Sequence, residues 1–234
     1  MIVGLLHPGE MGAAVGAAAN AEVIWASEGR SDATRRRAAS FRDVGSVEAL
    51  VHEADVVLSI CPPHAALDVA RACAGVDGVY VDANAISPLR AAEIAARHSP
   101  FVDGGIVGGP PTEAGTTLYL SGERADEVAA IFDGSLLATR IVRDASAVKM
   151  AYAAWSKGTT ALLLAIRDVA AHYEVEDEWR LASPELAARL PRAEEVSAKK
   201  GWRWVGEMEE IARTFGAAGA PDGFHRAAAE VYRR

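Results

Sequence analysis

The sequence predicts an α/β domain built on a doubly wound parallel sheet, followed by an all-helical carboxy-terminal domain with a long interdomain helix. Three observations predict it. Short apolar runs alternate with helical patterns from Met1 to Val142, and a glycine-bounded turn follows the first run. Beyond Asp144 the pattern stays helical for roughly 30 residues, broken only by Gly158. Strands and helices alternating on such spacing form parallel β-α-β units with right-handed crossovers, covered on both faces.

In chain order, strands are expected at 1–6, 21–27, 55–60, 78–82 and 101–107, with a weaker one at Phe41–Val44. Helices are expected near 10–19, 32–40, 46–53, 64–73 and 88–98. Two short strands, Thr117–Leu120 and Thr139–Val142, flank a helix at 123–132. The change of pattern at Asp144 divides the chain into domains 1–143 and 144–234. The long helix to about Tyr173 would span about 45 Å at 1.5 Å per residue. More amphipathic helices follow, punctuated by Ser183-Pro184, Pro191, Gly201 and Pro221. Trp202, Trp204 and Phe224 are expected in their core, and Glu207, Glu209 and Glu210 on a solvated face. The short helical remainder alone does not cover a long helix that is apolar over much of its surface. A homodimer that buries it is therefore expected.

Composition narrows the function. Half of the 234 residues are hydrophobic, yet no uninterrupted apolar run approaches the length of a membrane span. The chain opens directly on a strand, without a basic region and cleavage site, so a cytoplasmic protein is expected. A net charge of −8 argues against a nucleic-acid partner. Cys61 and Cys73 fall in different elements without a C-x-x-C spacing, and neither a disulfide nor a metal site is expected.

The first twelve residues, MIVGLLHPGEMG, run from strand through glycine turn to helix. A dinucleotide pyrophosphate needs that order, because glycines let backbone approach phosphate and the helix N-terminus offers unpaired N–H groups. Leu6, His7, Pro8, Gly9, Glu10, Met11 and Gly12 are thus candidate cofactor-binding residues of a Rossmann domain. His7 stands where G-x-G-x-x-G has its first glycine, and a plain tight turn is the alternative reading. The second strand ends at Ser27, followed by Glu28, Gly29, Arg30 and Ser31. Ser27, Arg30 and Ser31 suit the 2′-phosphate of NADP, whereas Glu28 could serve the ribose of NAD. NADP is favoured. The loop Cys61-Pro62-Pro63 would cross the cofactor at the carboxyl edge of the sheet.

Lys149 lies early in a mostly apolar helix, SAVKMA. It either snorkels to solvent or serves as a general acid–base beside the nicotinamide, its pKa lowered by desolvation. Asp103 either orients substrate or caps the adjoining glycine-rich turn.

The motifs GLLHPGEMG, CPPHAA, VDANAISP, FVDGGIVGGPP and SAVKMAYAAWSKG resemble, in that order, the β-hydroxyacid dehydrogenases and their 6-phosphogluconate dehydrogenase-like relatives. The similarity covers about residues 1–175. It implies a Rossmann domain, a helical domain centred on a long helix that forms much of a dimer, and a small-molecule substrate. It also implies Lys149 as the catalytic lysine and Asn84 at a polar position near the nicotinamide ribose. Val107 replaces a serine that holds a substrate carboxylate in the family, and Ala153 replaces an asparagine. Ser156 or Lys157, further along the helix, could assume that amide's role. The segment Asp103-Gly104-Gly105-Ile106 also resembles imine reductases of the superfamily. The residues from Gly201 to Ala228 resemble a helical domain of uncharacterised members. These features imply an NADP-dependent oxidoreductase acting on a small hydroxy acid or its keto counterpart. The alternatives are an NADPH-dependent imine reductase and a non-catalytic NADP-binding sensor.

Overall fold

Eight strands form a single sheet in the order β3-β2-β1-β4-β5-β6-β7-β8. They are β1 (Ile2–Leu5), β2 (Glu22–Trp25), β3 (Arg42–Asp43), β4 (Val56–Ser59), β5 (Val79–Asp82), β6 (Phe101–Val107), β7 (Thr116–Ser121) and β8 (Leu137–Ile141). Between them lie α1 (Glu10–Ala18), α2 (Asp32–Arg37), α3 (Val47–Glu53), α4 (Ala66–Ala72), α5 (Pro88–Ala95) and α6 (Ala125–Ala130). A single 3-10 turn, Pro63–Ala65, precedes α4. The computed structural model describes residues 1–234 and separates them into two compact units, Met1–Lys149 and Met150–Arg234.

The first six strands are parallel, and both faces of the sheet are covered. Alternation assigns the side chains: Val56, Leu58, Val79 and Val81 pack on one face, while Val57 and Tyr80 pack on the other. β7 then runs antiparallel to β6. Only a short link joins them, too short for the helical crossover that a parallel neighbour requires. β8 returns parallel to β7 after α6. Strand order reverses between β1 and β4, so a crevice opens at their carboxyl ends, where open α/β sheets receive ligands.

The long helix α7 (Ala145–His172) begins in the first unit and continues into the second. The second unit adds α8 (Glu176–Ala182), α9 (Pro184–Ala217) and α10 (Gly223–Arg233). Pro191 and Gly201, expected as breaks, both lie inside α9. Pro191 removes one backbone bond, but Leu190 and Ala193 beside it are buried and hold the helix together. Gly201 is a packing residue: a Cβ there would stand 3.4 Å from Tyr232 Cδ1 on α10. Trp204 packs edge-on against Tyr232, with ring centroids 5.2 Å apart. Trp202 and Phe224, expected in the core, are exposed. Of the glutamates, Glu209 is exposed as expected, while Glu207 is half-buried and Glu210 is buried. Glu207 pairs with Lys157, Glu209 with Arg233, and the buried Glu210 with Arg213. No helix is long and apolar enough to cross a membrane.

Candidate functional site

The loop after β1 carries the predicted glycine turn. Gly12 is buried in the first turn of α1, and a Cβ on it would lie 2.3 Å from the His7 carbonyl oxygen. Only glycine lets that helix start so close to the loop. Gly9 is the N-cap, has open space where a Cβ would point, and makes no side-chain cap. The first N–H groups of α1 are therefore free of a capping side chain and present a positive end to an anion. Leu6 and Pro8 are buried and hold the loop, Met11 is half-buried, and Glu10 is exposed at the helix start.

His7 is a neutral group here, not a phosphate-binding cation. Burial first, then the charge of Arg30, pushes its pKa down to about 4. His7 Nδ1 and Arg30 Nε are buried without a hydrogen-bond partner. Both residues line a cavity of about 240 Å³ with Leu6, Val47, Asp68 and Cys73. Two orphaned nitrogens beside a pocket, next to an uncapped helix start, fit the nucleotide half of a dinucleotide.

The other residues at the end of β2 have structural partners. The Ser27 carbonyl accepts from Arg35 at 2.8 Å, and its N–H donates to Asp43 Oδ1 at 3.2 Å. The Ser31 hydroxyl caps α2 by accepting from Thr34 N. Glu28 is exposed. Arg30 is thus the member of the predicted phosphate set that faces the pocket.

Across the crevice, Cys61 and Pro62 are half-buried and Pro63 is buried. Burial pushes the Cys61 thiol up to about 12, which disfavours the reactive thiolate. Asn84 lies beneath this loop, 2% exposed, with its amide bonded to Ser59, Asp82 and the Cys61 backbone. It supports the loop from inside.

Lys149 sits at the carboxyl end of β6. The half-buried side chain donates from Nζ to the Ile106 carbonyl at 2.7 Å. Gly105 makes this approach possible, because a Cβ on it would meet Ala145 O at 2.6 Å and Lys149 Cβ at 3.0 Å. Val107 ends the strand half-buried, offering only an apolar side chain. Asp103 is buried and accepts from Ser121 and Ser146, so it caps the long helix from within.

In the second unit Ala153 is fully buried, and Ser156 donates its hydroxyl to the Tyr152 carbonyl at 3.1 Å. Lys157 pairs with Glu207 Oε2 at 2.5 Å. Lys157 is thus engaged by a carboxylate, whereas the Ser156 hydroxyl, bonded only to its own helix, keeps its oxygen able to accept. The internal caps and clamps of Asp103, Asn84 and Lys157 escaped the sequence reading, since each partner lies at least 18 residues away or in another element.

A Rossmann domain with a glycine-bounded first loop, continued by a long helix into a helical unit, is the architecture of 3-hydroxyacid dehydrogenase-like proteins. The comparisons agree. Residues 170–234 match a domain of unknown function, DUF1932. An uncharacterized 28.5 kDa protein of Methanothermus fervidus is 30% identical over 165 residues, 67% of this chain. The match spans 65% of that relative's length. Among solved structures, a conserved protein of unknown function, described as structurally similar to 3-hydroxyacid dehydrogenases, is 25% identical with a TM-score of 0.71. It covers 100% of this chain and 97% of its own. A Streptomyces aurantiacus imine reductase is 18% identical, with a TM-score of 0.55, covering 100% and 94%. A reductive aminase from Aspergillus terreus, solved with NADPH and ethyl-5-oxohexanoate, is 16% identical with a TM-score of 0.59, covering 99% and 92%. The structural neighbours are thus 3-hydroxyacid dehydrogenase-like and imine reductase family proteins, with DUF1932 as the carboxy-terminal domain.

Proposed function

We propose that the chain is an NADP-dependent oxidoreductase acting on a small hydroxy acid or its keto counterpart, with Lys149 as the general acid–base. One observation carries the reading. The Lys149 ammonium is held at 2.7 Å from the Ile106 carbonyl, on the same sheet edge as the uncapped α1 start and the orphaned Arg30 nitrogen. The α1 backbone would hold the pyrophosphate, Arg30 the 2′-phosphate, and the Cys61-Pro62-Pro63 loop the opposite wall. A bound nicotinamide supplies or accepts hydride. Lys149 gives a proton to the carbonyl oxygen in reduction and takes it from the hydroxyl in oxidation, starting from its hydrogen bond to Ile106.

A second reading has its own support. Val107 offers no hydroxyl to a substrate carboxylate, which favours a less polar ketone or cyclic imine and therefore an imine reductase. Binding of NADPH and NADH by titration, then NADPH consumption with keto acids, ketones and cyclic imines, separates the readings. Turnover of keto acids supports the first and turnover of imines the second. Tight NADPH binding without turnover favours a sensor, and no nucleotide binding removes all three.

The same reading includes a homodimer. Tyr152, Trp155, Leu162 and Val169 are exposed at three- and seven-residue steps along α7, and the exposed Tyr173 follows its last residue. Such a stripe suits a second copy of the helix. Light scattering of the wild type and of Val169→Glu tests it: a dimer that becomes a monomer supports it, and a monomeric wild type overturns it.

A further inference from the structure

The carboxyl ends of β4 and β5 are joined by a buried clamp with one amide at its centre. Asn84 Nδ2 donates to Ser59 Oγ at 3.1 Å and to Asp82 Oδ2 at 2.9 Å. Its Oδ1 accepts from the Cys61 N–H at 2.5 Å, and its own backbone N–H donates to Asp82 Oδ1 at 3.0 Å. Ser59 and Asp82 are fully buried. A carboxamide has two donor hydrogens and one acceptor oxygen, so all three functions are engaged.

The sheet itself does not reach this far. The ladder between the two strands continues through Ala83 N to Ser59 O at 2.9 Å, and two residues later the Asn84 side chain takes the Cys61 N–H. Pro62 and Pro63 stiffen the loop but do not fix where it leaves the sheet. The groups around Asp82 are acidic or neutral: Asp103 on the adjacent strand, Tyr80 on its own strand, and Cys61 in the loop. The carboxyl group is therefore held by hydrogen bonds from Asn84 and not by a cation.

We propose that Asp82, Asn84 and Ser59 are positioning residues that fix the Cys61-Pro62-Pro63 backbone at the rim of the crevice before ligand arrives. A wall already in place loses no further freedom on binding, which strengthens affinity without adding a contact. What the loop is held for rests on the dinucleotide reading above. That the loop is held does not.

The test uses the whole chain and two readouts. Hydrogen exchange at the Cys61 amide, followed by NMR, reports the clamp, with the Val57 and Val81 amides of the strands as internal controls. Titration with NADPH reports its consequence. Asn84→Asp, read at a pH where Asp82 has lost its proton, keeps the shape but sets a second carboxylate against Asp82 in place of the donating NH2. Cys61 protection is expected to fall about tenfold, the strand amides to keep theirs, and NADPH affinity to fall about fivefold or more, in keeping with loss of a buried hydrogen bond. The exchanged pair Asp82→Asn/Asn84→Asp again sets donor against acceptor and is expected to restore both readouts. Ser59→Ala removes one acceptor and no charge, and decides the matter if Asn84→Asp does not fold, with a smaller loss expected. Unchanged Cys61 exchange in these variants, or a folded exchanged pair that stays unprotected, overturns the clamp. Lost protection with unchanged NADPH affinity overturns the positioning role. A wild type that binds no NADPH removes the dinucleotide reading, and Cys61 exchange then still decides the clamp.

Discussion

Asp103 accepts two hydrogen bonds from Ser146: one from its backbone N–H at 2.8 Å and one from its hydroxyl at 2.6 Å. Ser121 adds a third to the same carboxylate at 3.2 Å and itself accepts from Ala145 N at 3.0 Å. The start of α7 is thereby fastened to β6 and β7, and Lys149 stands one turn further along, bonded to Ile106 on β6. Asp103→Ala would leave three donors without an acceptor in a buried place. It is expected to cost about 3 kcal/mol, seen as a lower urea midpoint, with Asp103→Asn costing less.

Lys149 is the residue on which turnover should depend. Lys149→Ala is expected to lower kcat by about 10²–10⁴ with the substrate found active, the usual effect of removing a general acid–base. NADPH affinity should hold, because the proposed nucleotide contacts lie on α1 and at the end of β2. Steady-state rates and NADPH titration check both halves, and unchanged kcat removes the assignment.

Arg30 should decide between the two nucleotides. Its unpartnered Nε beside the cavity leaves the guanidinium ready for a phosphate. Arg30→Ala is expected to weaken NADPH binding about 10–100-fold, the scale of a charge-assisted pair, while NADH binding changes little. Equal losses for both would show that Arg30 serves another part of the nucleotide.

Two buried groups give stability opposite pH trends. Burial, opposed by the Asn84 hydrogen bonds, pushes Asp82 from 3.8 up to about 7. The folded state then holds a proton that the unfolded state has released. This contribution is full below about pH 3.8 and is lost as pH rises through 7. His7, pushed from 6.5 down to about 4, behaves in reverse. Its contribution is present above pH 6.5 and is lost as pH falls through 4. Urea denaturation across pH 4 to 8 should show Asp82→Asn without the alkaline decline and His7→Gln with a weaker acid decline.

Lys157 and Glu207 brace the helical unit. Their side chains are 14% and 15% exposed, and the Lys157 carbonyl accepts from Tyr232 OH at 2.6 Å. Glu207→Ala leaves an ammonium buried without its partner and is expected to cost about 3–5 kcal/mol, whereas Lys157→Met/Glu207→Leu should be close to neutral. A raised KM in that folded double variant would return Lys157 to the substrate site.

The sheet was legible because its strands announce themselves locally. Runs such as VVLS and VYVD, buried on both faces, read as strands wherever they stand, and Gly12 marks a helix start that few other residues permit. Pro191 misled for the same reason: a local rule against proline in helices ignores the packing of Leu190 and Ala193 that overrides it. Asp103 stood between orienting substrate and capping the adjoining turn, and the resemblance implied a place near the nicotinamide ribose for Asn84. Their actual partners, Ser146 and Cys61, lie 43 and 23 residues away and became visible only once the chain had folded.

The sequence by itself determined the alternation of strands and helices, the glycine turn and the position of the lysine, since periodicity and backbone permissiveness are properties of neighbouring residues. Tertiary structure decided which polar side chains face a cavity and which are consumed inside, leaving Arg30 open and closing Asp103, Asn84 and Lys157. That division follows from burial: a polar group away from water must find a partner, and the folded chain, not the order of its residues, determines which partner is within reach.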